Sequence, residues 1–169
     1  YYTLDGSDPR DSETAILYET AIEIYNNTYD DNVYSMVRDI SLGGYYPPEF
    51  KVDKGMVVRA VAKYADGEFG EVATNSYFIK KKEGYYSKFR VISMVTDGDY
   101  LFHPDTGAYM VGSGYYEWLG SEEYYELDPG DVNNPTNYNK SGKETEFPVS
   151  IQVFEKGRAV YSENVGARI

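Results

Sequence analysis

Hydrophobic and polar residues alternate in short segments through the first half of the chain. Residues 56–64 alternate over their whole length, which is the period of a half-buried β-strand. The uncharged face of this segment is predicted to be buried and comprises Met56, Val58, Ala60, Ala62 and Tyr64. The other face carries two charges and is predicted to be exposed; it comprises Val57, Arg59, Val61 and Lys63. Short strands are also predicted at 1–4, 16–18, 21–24 and 73–79, a spacing typical of a β-sandwich.

Turn residues separate these segments. Residues 5–9 read Asp-Gly-Ser-Asp-Pro and predict a tight turn in which the side chains of Asp5 and Ser7 bond to the main chain. The Asp-Gly pair at 66–67 predicts a hairpin. A polar and aromatic insert at 25–51 is longer than an ordinary sandwich loop. The sequence leaves open whether this insert is functional or decorative.

The pattern restarts after a charged stretch at 80–84, and we predict a domain boundary near residue 82. An almost wholly apolar run at 89–96 predicts a buried strand. Residues 147–155 alternate, with Val149, Ile151 and Val153 on one face, and the following Lys-Gly-Arg turn returns the chain at 159–161. A short strand is predicted at 107–112, and 112–145 is predicted to be a long loop.

The fold class predicted from this pattern is mainly β, in two lobes. Residues 1–82 are predicted to form a β-sandwich. Residues 83–169 are predicted to form a second β-rich segment, which is incomplete as a domain because the chain stops in what reads as a strand.

Composition narrows the classes of partner. The chain has 20 tyrosines and no cysteine, so it is rich in residues that suit pleated, half-buried surfaces and has no disulfide framework. Its formal charge of −12 repels phosphate backbones and anionic lipid, so we expect no nucleic-acid partner and no membrane insertion. The basic residues cluster only in a short stretch, interpreted as a solvated linker: Lys80, Lys81, Lys82, Lys88 and Arg90.

Three carboxylates lie within one turn-rich segment and are candidate metal ligands. Asp97, Asp99 and Asp105 have the spacing of oxygen ligands for a hard cation such as Ca²⁺. The alternative is that they are ordinary turn residues. His103 is the only histidine, so no histidine-based metal cluster or catalytic relay can form within the chain, and a turn hydrogen bond or packing is its expected role.

A group of aromatic residues crowds the long loop of the second half. Tyr115, Tyr116 and Trp118 could present flat ring faces to the apolar faces of sugars and bind carbohydrate. The alternative is a small core beneath the loop, because large aromatic side chains are usually buried. The two readings stay open at this point.

The first half carries a family resemblance. Residues 2–9 read Y-T-L-D-G-S-D-P and are followed by Leu-Tyr at 17–18 and V-V-R-A-V-A at 57–62. These motifs resemble the chitobiase and β-hexosaminidase C-terminal domain family. That resemblance implies an immunoglobulin-like sandwich appended to secreted bacterial carbohydrate-active or surface proteins, with a spacer or accessory role more often than catalysis.

The second half carries another resemblance. Residues 91–97 read V-I-S-M-V-T-D, 105–109 read D-T-G-A-Y and 166–169 read G-A-R-I. These motifs look like the start of the CotH (spore coat protein H) kinase family, a family of atypical protein kinases, which implies an incomplete α+β kinase-type segment. In that family the nucleotide and metal ligands lie beyond the last residue of this chain, so ATP and Mg²⁺ would belong to a complete parent domain and no catalytic residue is carried over.

Together the patterns and resemblances favour a non-catalytic structural or spacer fragment of a secreted or cell-surface bacterial CotH-family protein. Its expected partners are other domains of the same parent chain, and also cell-surface proteins or polysaccharide. The resemblances imply an extracellular or cell-surface location. One alternative is a carbohydrate-binding module of a polysaccharide-degrading system. The other is a part of an atypical kinase with its active site downstream.

Overall fold

The protein is mainly β, as the sequence predicts. The computed structural model describes residues 1–79 and 84–169, which contain two three-stranded antiparallel sheets. The first sheet has the strand order of the chain and comprises β1 (Tyr2–Thr3), β2 (Met56–Ala60) and β3 (Ala73–Tyr77). The second sheet also follows chain order and comprises β4 (Val91–Val95), β5 (Phe147–Glu155) and β6 (Arg158–Ala167).

Helices are few and short within the described residues. The α-helices are α1 (Gly98–Phe102) and α2 (Ser113–Leu119). Single turns of 3₁₀-helix lie at Asn27–Tyr29, Tyr34–Met36, Tyr86–Lys88, Asn137–Asn139 and Lys143–Thr145. The long loop predicted at 112–145 therefore contains a helix of two turns that periodicity did not reveal.

The described residues group into two compact units. The first comprises Tyr1–Asp30, Lys51–Asp97 and Pro148–Val165, and the second comprises Asp31–Phe50, Gly98–Phe147 and Gly166–Ile169. The boundary predicted near residue 82 lies outside the described residues and stays a prediction, as does the division into 1–82 and 83–169. The first unit contains strands from both of these ranges.

The first sheet confirms part of the predicted register. β2 pairs antiparallel with β3, from Met56 opposite Tyr77 to Ala60 opposite Ala73, and Met56 is buried. Val61 is buried, and Ala62 and Tyr64 are exposed, which reverses the prediction for these three positions. The reason is that regular pairing ends at Ala60, and alternation between two faces holds only while a strand continues.

The second sheet corrects the prediction of a fully buried strand at 89–96. β4 pairs antiparallel with β5, and Ser93 and Val95 face inward and are buried. The side chains that alternate with them are open to solvent, with Ile92 61% and Met94 60% exposed. An antiparallel sheet commonly packs on one face only, so an apolar run does not require burial on both.

β5 is covered on both faces along part of its length. Val149 is buried and Ile151 and Val153 are half-buried on the face predicted from the sequence. Gln152, which belongs to the opposite face, is also buried. A buried glutamine needs hydrogen-bond partners, and in this protein the first sheet supplies one.

A buried polar contact joins the two sheets within the first unit. The hydroxyls of Ser76 in β3 and Ser93 in β4 lie 2.7 Å apart, and the backbone N–H of Ser76 donates to Oε1 of Gln152 over 2.8 Å. β3 is an edge strand of its sheet, so its outward N–H groups have no strand partner and need other acceptors. Gln152 satisfies one of them, and the two sheets share one interface.

Both predicted hairpin turns are present. At 66–67 the chain turns with Gly67 at φ 94°, and Asp66 Oδ1 accepts the N–H of Glu68 over 3.1 Å. Between β5 and β6 the chain turns through Lys156 at φ 50° and Gly157 at φ 77°. Two consecutive positive φ values define the tight hairpin turn whose twist suits the flanking strands. Lys156 therefore accepts a left-handed conformation that non-glycine residues adopt rarely.

The second unit has a small core built around 108–111. Val111 and Met110 are buried there, but this segment is not the short strand predicted at 107–112. Its backbone makes turn hydrogen bonds, among them Gly107 N–H to His103 O at 2.7 Å and Ala108 N–H to Tyr100 O at 2.9 Å. Five of the six residues at 107–112 are apolar or glycine, so periodicity alone cannot separate a short strand from a buried turn.

The insert predicted at 25–51 contributes most of its length to the second unit. Val111 N–H donates to Asp39 O over 2.8 Å, and the ring of Tyr34 stacks on Phe102 with centroids 5.2 Å apart. Residues 31–50 therefore supply part of the packing of that unit, which gives the insert a structural role.

Candidate functional site

Helix α2 positions the aromatic residues that the sequence singled out. Tyr115 and Trp118 are three residues apart and lie on one side of the helix. The helix ends at Leu119, and Gly120 N–H donates back to Tyr116 O over 3.2 Å. The chain then turns at Ser121, whose N–H bonds to Trp118 O at 3.0 Å and whose carbonyl accepts from Tyr124 N–H at 3.3 Å.

This turn brings two further rings onto Trp118. The indole lies 5.0 Å from the ring of Tyr124, 5.5 Å from Tyr125 and 5.8 Å from Tyr115 between centroids. Tyr115 also contacts Tyr116 at 5.5 Å. We call these five residues (Tyr115, Tyr116, Trp118, Tyr124 and Tyr125) the aromatic surface. Tyr124 and Tyr125 were not predicted from the sequence to join this group, although the Gly-Ser pair at 120–121 indicates that the chain reverses there.

The rings of the aromatic surface do not share a plane. Their interplanar angles are 82° for Tyr115 and Tyr116, 50° for Tyr115 and Trp118, 64° for Trp118 and Tyr124, and 89° for Trp118 and Tyr125. Edge-to-face packing is a favoured arrangement of buried and half-buried rings. Trp118 and Tyr115 are half-buried, so the cluster is a small core with an exposed rim. Carbohydrate binding by Tyr115, Tyr116 and Trp118 stays a prediction.

The exposed rim consists of tyrosines. Tyr125 is 56% exposed, Tyr116 50% and Tyr124 41%. The hydroxyl of Tyr116 donates to a carboxylate oxygen of Asp39. That hydrogen bond, with smaller effects of desolvation and of the Asp39 charge, raises the pKa of Tyr116 to about 12. The phenol is therefore neutral at any physiological pH and is held in a defined orientation.

The candidate metal ligands do not come together. Within 1–79 and 84–169, no group of three or more His, Cys, Asp or Glu side chains is placed to hold a metal ion, so Asp97, Asp99 and Asp105 do not form one. Oδ2 of Asp97 accepts the backbone N–H of Asp8 over 3.1 Å. Asp105 N–H donates to Nδ1 of His103 over 3.2 Å, which confirms a turn hydrogen bond as a role of the histidine.

The predicted turn at 5–9 is confirmed and carries a carboxylate network. Asp5 Oδ1 accepts the N–H of Ser7 at 3.0 Å, and Asp5 Oδ2 accepts the hydroxyl of Thr14 at 2.6 Å. Partial burial alone would raise the pKa of Asp5, but the hydrogen bonds from Ser7 and Thr14 outweigh it and lower this pKa.

The second carboxylate of this turn faces two arginines. The guanidinium of Arg10 donates to Asp8 over 2.6 Å, and a nitrogen of Arg59 lies 3.9 Å from the same oxygen. The hydrogen bond from Arg10 is the largest influence, and it lowers the pKa of Asp8 despite partial burial. Arg59 also donates to the carbonyl of Gly6 over 2.9 Å. The turn is thus tied to β2 by charge and hydrogen bonds, which gives its acidic residues a structural role.

Comparison with known proteins supports the prediction of an immunoglobulin-like domain in the first half of the chain. In the part of the chain that the structure covers, no helix combines the length and apolar character that crossing a membrane requires. Neither the curated proteins nor the solved structures contain a match to the chain. The comparisons give no evidence for the CotH-type resemblance, which stays a prediction. Residues 1–77 match the family model described as Fn3 associated, and this segment is similar to that fibronectin-3-associated, immunoglobulin-like family.

Proposed function

We propose that this chain is a non-catalytic structural or spacer module of a secreted or cell-surface bacterial protein of the CotH family. The observation that carries the proposal is the buried polar contact of Ser76 with Ser93 and Gln152. A spacer must hold its neighbours at a fixed separation, which requires that the chain between them unfold only as a whole. A shared, desolvated interface between strands from both halves of the sequence meets that requirement within the first unit, because breaking it exposes unpaired polar groups on both sheets.

The family match supports the same proposal. Residues 1–77 are similar to an immunoglobulin-like family, and the chitobiase-type resemblance of residues 2–9 implies an accessory role beside carbohydrate-active or surface domains. The expected partners are therefore other domains of the parent chain, and the expected location is extracellular or the cell surface. In a parent with a complete CotH-type domain, ATP and Mg²⁺ would bind outside this chain.

A carbohydrate-binding module is the second candidate, and the aromatic surface is the observation that favours it. The geometry of the rings favours the spacer instead. Extended polysaccharides stack successive sugars on rings that lie roughly in one plane, whereas neighbouring rings here are inclined by 50° to 89°. Trp118 is also half-buried against three tyrosines, so its faces are largely used inside the protein.

Affinity electrophoresis through gels containing soluble polysaccharides separates the two candidates. The spacer predicts equal mobility with and without polysaccharide for the wild type, for Trp118→Ala and for Tyr64→Ala. Tyr64 is a suitable control because it is an exposed tyrosine of the other unit. Retardation of the wild type that disappears in Trp118→Ala and persists in Tyr64→Ala would establish carbohydrate binding and overturn the spacer.

Calorimetry with Mg-ATP tests the kinase alternative. Phosphoryl transfer needs a cation at the phosphates, acidic ligands for that cation and a basic residue facing the phosphates. The spacer predicts no heat of binding and no radiolabel transfer from ATP. Micromolar binding together with autophosphorylation would place a nucleotide site within this chain and refute the proposal.

A further inference from the structure

Several large side chains of the aromatic surface and its neighbourhood are exposed. Three of its tyrosines are between 41% and 56% exposed, and Leu119 at the end of α2 adds a fourth exposed side chain at 43%. Aromatic residues gathered in one exposed patch are characteristic of protein interaction sites, whereas isolated exposed side chains need no explanation. The shape and charge of this patch therefore specify the partner that could cover it.

The charge around the aromatic surface is entirely negative along the chain. Residues 104–139 contain no lysine, arginine or histidine. Their acidic residues are Asp105, Glu117, Glu122, Glu123, Glu126, Asp128 and Asp131. Glu117 lies within α2 between Tyr116 and Trp118, and Glu122 and Glu123 lie in the turn before Tyr124. The side chains of these three glutamates are exposed. These three carboxylates lie within a Debye length of the rings because they are their chain neighbours, so each contributes a negative potential at the patch.

We propose that the aromatic surface is a docking site for a lysine- and arginine-rich segment of a partner protein. Cations are attracted to the faces of tyrosine and tryptophan rings and, over longer distances, to carboxylates, so an acidic aromatic patch is complementary to basic side chains in both respects. The hydrogen bond to Asp39 fixes Tyr116 and places a further carboxylate at its hydroxyl. The site thus selects a partner by charge and holds it by its rings.

The orientation of the rings selects a peptide over a polysaccharide. The rings face different directions, with Tyr125 nearly perpendicular to Trp118 at 89°. Each long, flexible lysine or arginine side chain can reach one ring face independently. A rigid row of sugar rings cannot follow such a surface. This interaction surface is independent of the proposed spacer function, because a spacer with or without a docking site would have the same fold.

The single tryptophan provides a direct probe. Trp118 is the only tryptophan of the chain and lies at the centre of the aromatic surface, so its fluorescence reports on this site alone. Titration of the full chain with octa-lysine and octa-arginine peptides at low salt is expected to give a saturable change in emission. The affinity should fall as salt is added, because the attraction is electrostatic. A neutral glycine-serine octapeptide should give no change.

Matched variants separate the site from the overall charge of the protein. Glu122→Lys/Glu123→Lys and Glu13→Lys/Glu19→Lys change the net charge equally, and all four glutamates are exposed. The first pair is expected to weaken peptide binding by about tenfold or more, and the second by less than about threefold, because screening limits distant charges. Tyr125→Ala should weaken binding while Tyr125→Phe, which keeps the ring face, should not.

Three results would overturn the proposal. An unsaturable fluorescence change would show that the surface has no defined site. Equal weakening by the two glutamate pairs would show attraction by the net charge of −12 alone. Tighter binding of a chitosan oligomer than of a basic peptide of equal charge would assign the surface to a cationic polysaccharide instead. Near-native circular dichroism of each variant excludes loss of folding as the cause.

Discussion

The contact between the two sheets can be tested by removing the hydroxyls of Ser76 and Ser93 singly and together. The two residues lie on opposite sides of the boundary predicted near residue 82, and their hydroxyl oxygens are 2.7 Å apart in a buried environment. If the strands form one cooperative interface, the effects of Ser76→Ala and Ser93→Ala on the free energy of unfolding must depend on each other. If they belong to independent domains, the effects must add.

The magnitude follows from the burial of the pair. Each single substitution leaves one buried hydroxyl without its partner, at a cost of about 1–3 kcal/mol. The double substitution removes both polar groups, so no unpaired hydroxyl remains and the total cost is lower than the sum of the singles. The expected coupling energy is about 1 kcal/mol, within the range of 0.5–3 kcal/mol that is found for residues in contact. In a chain of this length, a change of 1 kcal/mol corresponds to a shift in Tm of roughly 2–4 °C.

Urea unfolding followed by circular dichroism gives the three free energies relative to the wild type. A control cycle pairs Ser76→Ala with Ser162→Ala, because Ser162 is an exposed residue of β6, and it should show additivity within about 0.5 kcal/mol. A coupling energy for Ser76 and Ser93 below about 0.3 kcal/mol would refute the shared interface.

Three further predictions follow from burial and ionisation. Met56→Ala should lower the free energy of unfolding by about 2–5 kcal/mol because it opens a cavity. Met94→Ala should change it by about 0.5 kcal/mol or less, since Met94 is 60% exposed. Equal effects of the two substitutions in thermal unfolding would contradict the assigned register of both strands. The pKa of Tyr116 is raised to about 12 in the folded protein. The hydrogen bond of Tyr116 therefore stabilises the fold fully below the unfolded pKa of about 10. This stabilisation is lost as the pH rises through the folded pKa. Tyr116→Phe should therefore differ less from the wild type in urea unfolding at pH 11.5 than at pH 9, and a constant difference would show that the hydrogen bond is absent. The pKa of Asp5 is lowered, so its contribution to the free energy of unfolding is present above the unfolded pKa of about 3.9 and is lost as the pH falls through the folded pKa. Asp5→Asn should therefore flatten the acid limb of the curve of stability against pH. An unchanged slope would contradict the hydrogen-bond network at 5–14.

The sequence was sufficient for the local features of this protein. Turns were predictable because their residues act through their own backbone: glycine at 67 and at 157 permits positive φ, and Asp5 bonds a backbone N–H two residues away. The mainly β character and most strand positions followed from period-two alternation, from the apolar run at 89–96 and from the excess of tyrosine. The prediction was wrong at 21–24, which forms no strand, and at 16–18, where Ile16 forms an isolated bridge with Tyr2. The family match at 1–77 agrees with that reading.

The tertiary structure decided which faces are buried and which residues meet. Ile92 and Met94 are exposed although their run is apolar, because only one face of β4 is covered. Gln152 is buried although it is polar, because the backbone N–H of Ser76 in the edge strand β3 needs an acceptor and Gln152 supplies it. Tyr124 and Tyr125 join Trp118 only because the chain reverses at Ser121. Sequence patterns describe the period of one segment, whereas burial and sites depend on which distant segment packs against it, and that information is not local.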